Sequence, residues 1–145
     1  MESAVSGWLI WAVLSAAFAA LTAIFAKVGV ENVNSDFATL VRTCVMLVVT
    51  AGIVIGGGQW QAPASVSSRT YVFLGLSGLA TGASWLCYFR ALQLGDAAQV
   101  APIDKLSVVL VALFGVAFLG ERLSGINWLG VAMIAGGAIL VAFRA

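Results

Sequence analysis

Residues 97–119 read AAQVAPIDKLSVVLVALFGVAFL, and the adjacent charges at Asp104 and Lys105 decide how the rest is read. From Leu106 to Leu119 fourteen uncharged residues remain. That is too few to cross a hydrocarbon core, which takes about 20 residues of helix. The stretch crosses only if it begins near Ala97, and both charges then lie inside the membrane. An ionisable side chain at that depth costs at least ~2.5–3.5 kcal/mol, so it must face a partner or a wet cavity. Arg42 and Arg90 sit in equally apolar surroundings. These four charges are the first candidates for a substrate or ion pathway.

Working outward, the composition agrees. Of the 145 residues, 62% are hydrophobic and 9% charged, with mean hydropathy +1.08. A soluble domain carries roughly 25% charged residues, so this chain has too little polar surface to coat a globule in water. Five spans are expected, at about 5–28, 37–56, 70–94, 97–119 and 126–143, forming an all-α bundle in a single domain. Asn34, Ser35 and Asp36 supply helix-start capping before the second span. Gly56, Gly57 and Gly58 end it. Pro63 and the serines at 65, 67 and 68 make the longest connection, with Trp60 suited to the interface. Gly95-Asp96 is a tight hairpin, and Glu121 to Gly125 separates the last two spans. The fourth span reads as the weakest because of its two charges. The first apolar run is longer than a signal-peptide core and its early charge is Glu2, so a retained helix is expected.

Net charge is +1 and there is no His, which removes the usual metal ligand and the near-neutral proton shuttle. No nucleic-acid motif, metal-ligand cluster or catalytic carboxylate pair is present, so neither cofactor nor enzymatic activity is expected. Cys44 and Cys87 read as small buried packers. Small residues line several faces: Ala12, Ala16, Ala20 and Ala23; Gly78 and Gly82; Ala132, Gly136 and Gly137. Such faces let helices approach closely in lipid, and the last set is the expected dimer interface. Lys27 and Arg90 are 63 positions apart, as are Arg42 and Lys105, Val45 and Val108, and Leu47 and Leu110. A repeat of two spans and a chance match of apolar letters both account for this offset.

Three runs then make the chain recognisable: Tyr88-Phe89-Arg90-Ala91-Leu92-Gln93-Leu94-Gly95-Asp96-Ala97 followed by Val100-Ala101-Pro102-Ile103; Phe118-Leu119-Gly120-Glu121-Arg122-Leu123-Ser124; and Trp128 to Gly137. In order and spacing they resemble an EamA-type domain of the drug/metabolite transporter superfamily. The resemblance covers essentially the whole chain and is sharpest over residues 82–137. It implies a small-molecule carrier of a bacterial or archaeal cell membrane, working by alternating access. Familiar members carry two such domains and ten spans. This chain carries one, like the five-helix branch, which implies half of a ten-helix inverted-repeat carrier. The partner would be a second copy in opposite orientation or a paralogue. The four-helix multidrug exporters of the superfamily use a Glu in the first span. That span has no embedded carboxylate here, so their proton coupling does not carry over.

Pro102 lacks an N–H and should kink or open the fourth span. Asp104 and Ser107 share a helix face, while Lys105 points about 100° away. The hairpin brings Arg90 near the depth of Asp104, so an ion pair between them is geometrically open. Two readings follow. The pair pins the third span to the fourth, or these groups line a pathway with Arg42, Ser107, Trp85, Tyr88 and Ser84. The aromatics have their own alternative as lipid-facing or interfacial residues. With the N-terminus inside, Arg69 and Arg122 balance Lys27 and Arg144, two against two. Counting Arg42, Arg90 and Lys105 as well favours the N-terminus outside. A near-tie permits insertion both ways, and with an odd number of spans two opposed copies build an inverted repeat. The resulting expectation is an exporter of a small metabolite or drug, acting as an antiparallel dimer. The rival is a non-transporting membrane subunit that stabilises or regulates another complex.

Overall fold

A computed structural model describes Glu2–Phe143, with side chains from Gly7 onward. Arg144, one of the balancing loop charges, lies outside the described residues. The order is α1 (Glu2–Gly29), α2 (Ser35–Gly56), a 3₁₀ turn (Pro63–Ser65), α3 (Ser68–Leu94), α4 (Ala97–Asp104), α5 (Ser107–Leu119) and α6 (Gly125–Ala142). Among the described residues there is no strand. Five helical stretches are long and apolar enough to cross a membrane, the fourth being α4 and α5 together. In lipid every backbone group must be satisfied within the segment, which is why apolar runs of this length become helices. The least apolar of the five is α3, not the fourth span. Residues such as Ser77, Thr81, Ser84, Arg90 and Gln93 dilute α3, whereas α5 is apolar throughout after Ser107 and offsets the charges before it.

The chain divides into two units. One comprises Gly29–Gln93, that is α2 and most of α3. Asn34 starts α2 by accepting N–H bonds from Asp36 (2.9 Å) and Phe37 (3.2 Å) on its Oδ1. Ser35 and Asp36 are thus first-turn residues, and Asn34 alone supplies the cap. Ser35 and Thr39 are buried polar residues. The Thr39 hydroxyl donates to the Ser35 carbonyl at 2.9 Å, and Thr43 donates to Thr39 at 2.8 Å. At the other end Gly57 sits where a Cβ would come within 2.9 Å of the Ile53 carbonyl oxygen, and Gly58 takes φ +64°. That left-handed turn suits glycine and stops the helix. The last turn of α3 is fastened to the segment before α2. The Gln93 amide donates to the Val33 carbonyl at 2.6 Å and the Val30 carbonyl at 3.3 Å. Val30, Phe89 and Leu92 are buried around this end.

The other unit holds α1 up to Val28 together with Leu94 onward. Here α6 packs along α4 and α5. Ser124 and Asn127 form a reciprocal capping box at the start of α6, and the Gln99 amide donates to the Ala142 carbonyl at 3.4 Å at its end. The Lys27 ammonium donates to the Gly95 carbonyl at 2.9 Å. A lysine in the last turn of α1 thus satisfies a backbone acceptor in the hairpin before α4.

Cys44 and Cys87 are free and exposed on α2 and α3, which corrects their expected role as buried packers. Lipid tails are as apolar as a helix interior, so a small apolar side chain has no need to turn inward.

Candidate functional site

Two clusters gather the charged candidates, one in each unit. The first lies at the interruption of the fourth span. Pro102 offers no N–H to the preceding turn, so the helix loses a bond there. The α-helical run ends at Asp104 and resumes at Ser107. Between them the bonding tightens: Lys105 N is shared between Ala101 O (3.3 Å) and Pro102 O (3.1 Å), and Leu106 N donates to Ile103 O (3.0 Å), Val108 N to Lys105 O (3.0 Å) and Val109 N to Leu106 O (3.0 Å). A run of three-residue bonds inside a longer helix is a frequent mark of a hinge. The tighter turn also eclipses positions three apart, which keeps Asp104 and Ser107 on one side.

Asp104 and Lys105 pair with each other, Nζ to Oδ2 at 3.1 Å. Adjacent residues point about 100° apart on a helix, but the long lysine stem wraps that angle at the helix end. Their side chains are 35% and 55% exposed respectively. Inside a membrane-crossing stretch that exposed area faces lipid or a wet cavity, and a charge left in hydrocarbon costs at least ~2.5–3.5 kcal/mol. The position of the pair therefore calls for an explanation other than stability. Arg90 is exposed on α3 and belongs to the Gly29–Gln93 unit, while Asp104 belongs to the other.

The second cluster lies within the Gly29–Gln93 unit. The Arg42 guanidinium carbon sits 3.2 Å from the Trp85 ring centroid and 6.0 Å from that of Phe89. Trp85 meets Tyr88 edge-on at 5.8 Å and Phe89 at 5.9 Å. Arg42 lies seven residues into α2 and Trp85 nine residues before the end of α3. At 1.5 Å per residue each is roughly 10–14 Å along its helix from the end that Gln93 fastens. Half a hydrocarbon core is about 15 Å, so the stacked pair lies deep. Ser84, the remaining candidate on α3, is exposed and makes no side-chain hydrogen bond among the described residues.

Sequence reasoning named Arg42, Trp85 and Tyr88 but not Thr39, Thr43 or Gln93. The i, i+4 spacing of Ser35, Thr39 and Thr43, with Arg42 beside it, was the available signal for a polar stripe on α2. Also unforeseen is the turn after α5. Gly120 takes φ +69°, Glu121 N donates to Gly115 O at 3.1 Å, and the Glu121 carboxylate folds back over buried Gly115. A Cβ at Gly115 would lie 2.6 Å from Glu121 Oε2, so the glycine makes room for that carboxylate.

On α6, Ala132, Gly136 and Gly137 are exposed, and a Cβ at either glycine would meet nothing within 4 Å. The face is open to lipid or to another helix. Gly136→Leu should therefore leave the monomer fold unchanged, yet lower the dimer fraction if this face packs against a partner. Sedimentation in detergent and cross-linking in lipid would measure it, and an undiminished dimer would remove α6 from the interface.

A family model described as the EamA-like transporter family matches residues 6–143. The chain belongs to that family. An uncharacterized transporter in the cobO 3' region of a Sinorhizobium species is 70% identical over 135 residues, covering 93% of this chain and 96% of that relative. An uncharacterized transporter of Vibrio cholerae serotype O1 is 25% identical over 134 residues, 91% of this chain but 41% of that longer relative. No solved structure matches. With its five membrane-crossing stretches, this EamA-like chain is a multi-pass membrane transporter of bacterial type.

Proposed function

We propose that the chain exports a small metabolite or drug by alternating access, as an antiparallel dimer of itself or with a paralogue. The observation that carries this reading is the interruption at Lys105-Leu106, with Pro102, Asp104, Lys105 and Ser107 around it. Carriers commonly bind solute where a membrane helix is broken near the midplane, because the loosened backbone and any charge beside it are tolerated only against a cavity. The matched region fills less than half of the Vibrio relative. That leaves length there for a second such domain, which supports pairing here. In this reading Asp104 faces the pathway, with Lys105 biasing solute preference.

The purified chain alone, in proteoliposomes, should give saturable flux with at least one member of a panel of metabolites and drugs. Cells expressing it should accumulate less of that solute than control cells. A folded, dimeric chain that moves no member of the panel would favour the non-transporting subunit.

The antiparallel arrangement makes a further prediction. With Cys44 and Cys87 replaced by Ala, a single Cys at Gln59 should be about half accessible to an impermeant thiol reagent in intact cells. Balanced loop charges leave orientation undecided. Adding two lysines within 61–68 should push the population toward one orientation and reduce flux. Uniform labelling or uniform protection of the parent would show one fixed orientation.

A further inference from the structure

We propose that Arg42, held over the face of the Trp85 indole, is the recognition point for a carboxylate-bearing organic solute. This deepens the carrier reading above and rests on it. A guanidinium deep in a membrane span needs an opposite charge or a polar cavity. Among the described residues no carboxylate pairs with Arg42 and no side-chain or backbone acceptor takes its N–H groups; its contacts are the faces of Trp85 and Phe89. The only acids within Gly29–Gln93 are Glu31 and Asp36. Glu31 precedes α2, and Asp36 is in its first turn and accepts from the Ser35 hydroxyl at 3.3 Å. Six residues separate Asp36 from Arg42, a rise of about 9 Å.

Stacking explains what the charge is held for. Over an indole, a guanidinium is attracted by the ring face, and its side chain is kept from reaching along the helix to the headgroups. Its N–H groups, which no acceptor among the described residues takes, form a planar fork of donors matched to the two oxygens of a carboxylate. Trp85 is itself braced by Tyr88 and by buried Phe89, so the fork is presented in a fixed orientation. The aromatic surround also offers an apolar wall to the organic part of the solute. A lysine at 42 would keep the charge and lose the planar fork.

The test uses the full chain in dodecyl maltoside and in phosphatidylcholine nanodiscs, with radiolabelled benzoate, its neutral isostere benzamide, and benzylamine. Benzoate should bind saturably, and benzamide and benzylamine about tenfold or more weaker, the loss expected for a missing charged hydrogen-bond partner. Arg42→Gln should lose benzoate binding by about the same factor, and Arg42→Lys should fall between. Equal binding of benzoate and benzamide by the native chain would overturn the assignment, and that comparison needs no variant to fold. Native-level benzoate binding by a monodisperse Arg42→Gln chain would also overturn it. Benzoate binding without flux of any solute would leave the site standing and remove the carrier reading. Flux of neutral or cationic solutes with no benzoate binding would do the reverse.

Discussion

A chain carrying Asp104→Asn together with Lys105→Gln should insert, fold and dimerise normally, yet move substrate roughly 10- to 100-fold more slowly, the cost of one lost charge-assisted contact of ~1.5–3 kcal/mol. The stability half of this expectation follows from pairing. Asp104 and Lys105 meet at 3.1 Å, so removing both charges together strands neither and lifts the cost of holding ions in a membrane-crossing stretch. The transport half follows from position. These groups sit where α4 gives way to α5, inside a stretch that crosses the membrane. Flux in proteoliposomes and a thermal melt in detergent measure the two halves separately. Native flux from a folded double variant would make the pair an incidental helix-end contact.

Pro102→Ala is expected to act in opposite directions on stability and rate. Proline inside a helix costs ~3 kcal/mol or more. Alanine restores the missing N–H, which can donate to the Ala98 carbonyl one turn before the break, and should raise the melting temperature. If the break serves as a hinge, the stiffened span should also slow turnover with little change in solute affinity. A higher melting temperature with unchanged turnover would show that the break is not used in the transport cycle.

The membrane-crossing stretches were legible because bilayer thickness sets their length and the glycine, proline and serine punctuation marks their ends. The interruption of the fourth span was legible from Pro102 and two neighbouring charges. The Asp104–Lys105 pairing was not, because ideal helix geometry separates adjacent side chains and says nothing of a long stem at a helix end. Arg42 and Trp85 were each conspicuous as residues. Their meeting was invisible, since they are 43 positions apart on different helices and no local pattern encodes it. Gln93 escaped notice for another reason: a single amide near a helix end ordinarily faces water. The weakness assigned to the fourth span came from weighing its charges without the apolar run of α5 beside them.

The two carbonyls held by Gln93 also set an order of events during synthesis. Val30 and Val33 leave the ribosome some sixty residues before the amide that will bind them. Until then neither oxygen has the partner it takes in the folded chain. When α3 arrives, its final turn supplies that partner and fastens the end of the unit from which the Arg42–Trp85 stack hangs. The cation and its aromatic seat therefore meet only with the third helix to insert, and a nascent chain stalled before residue 93 would lack the amide that fastens them.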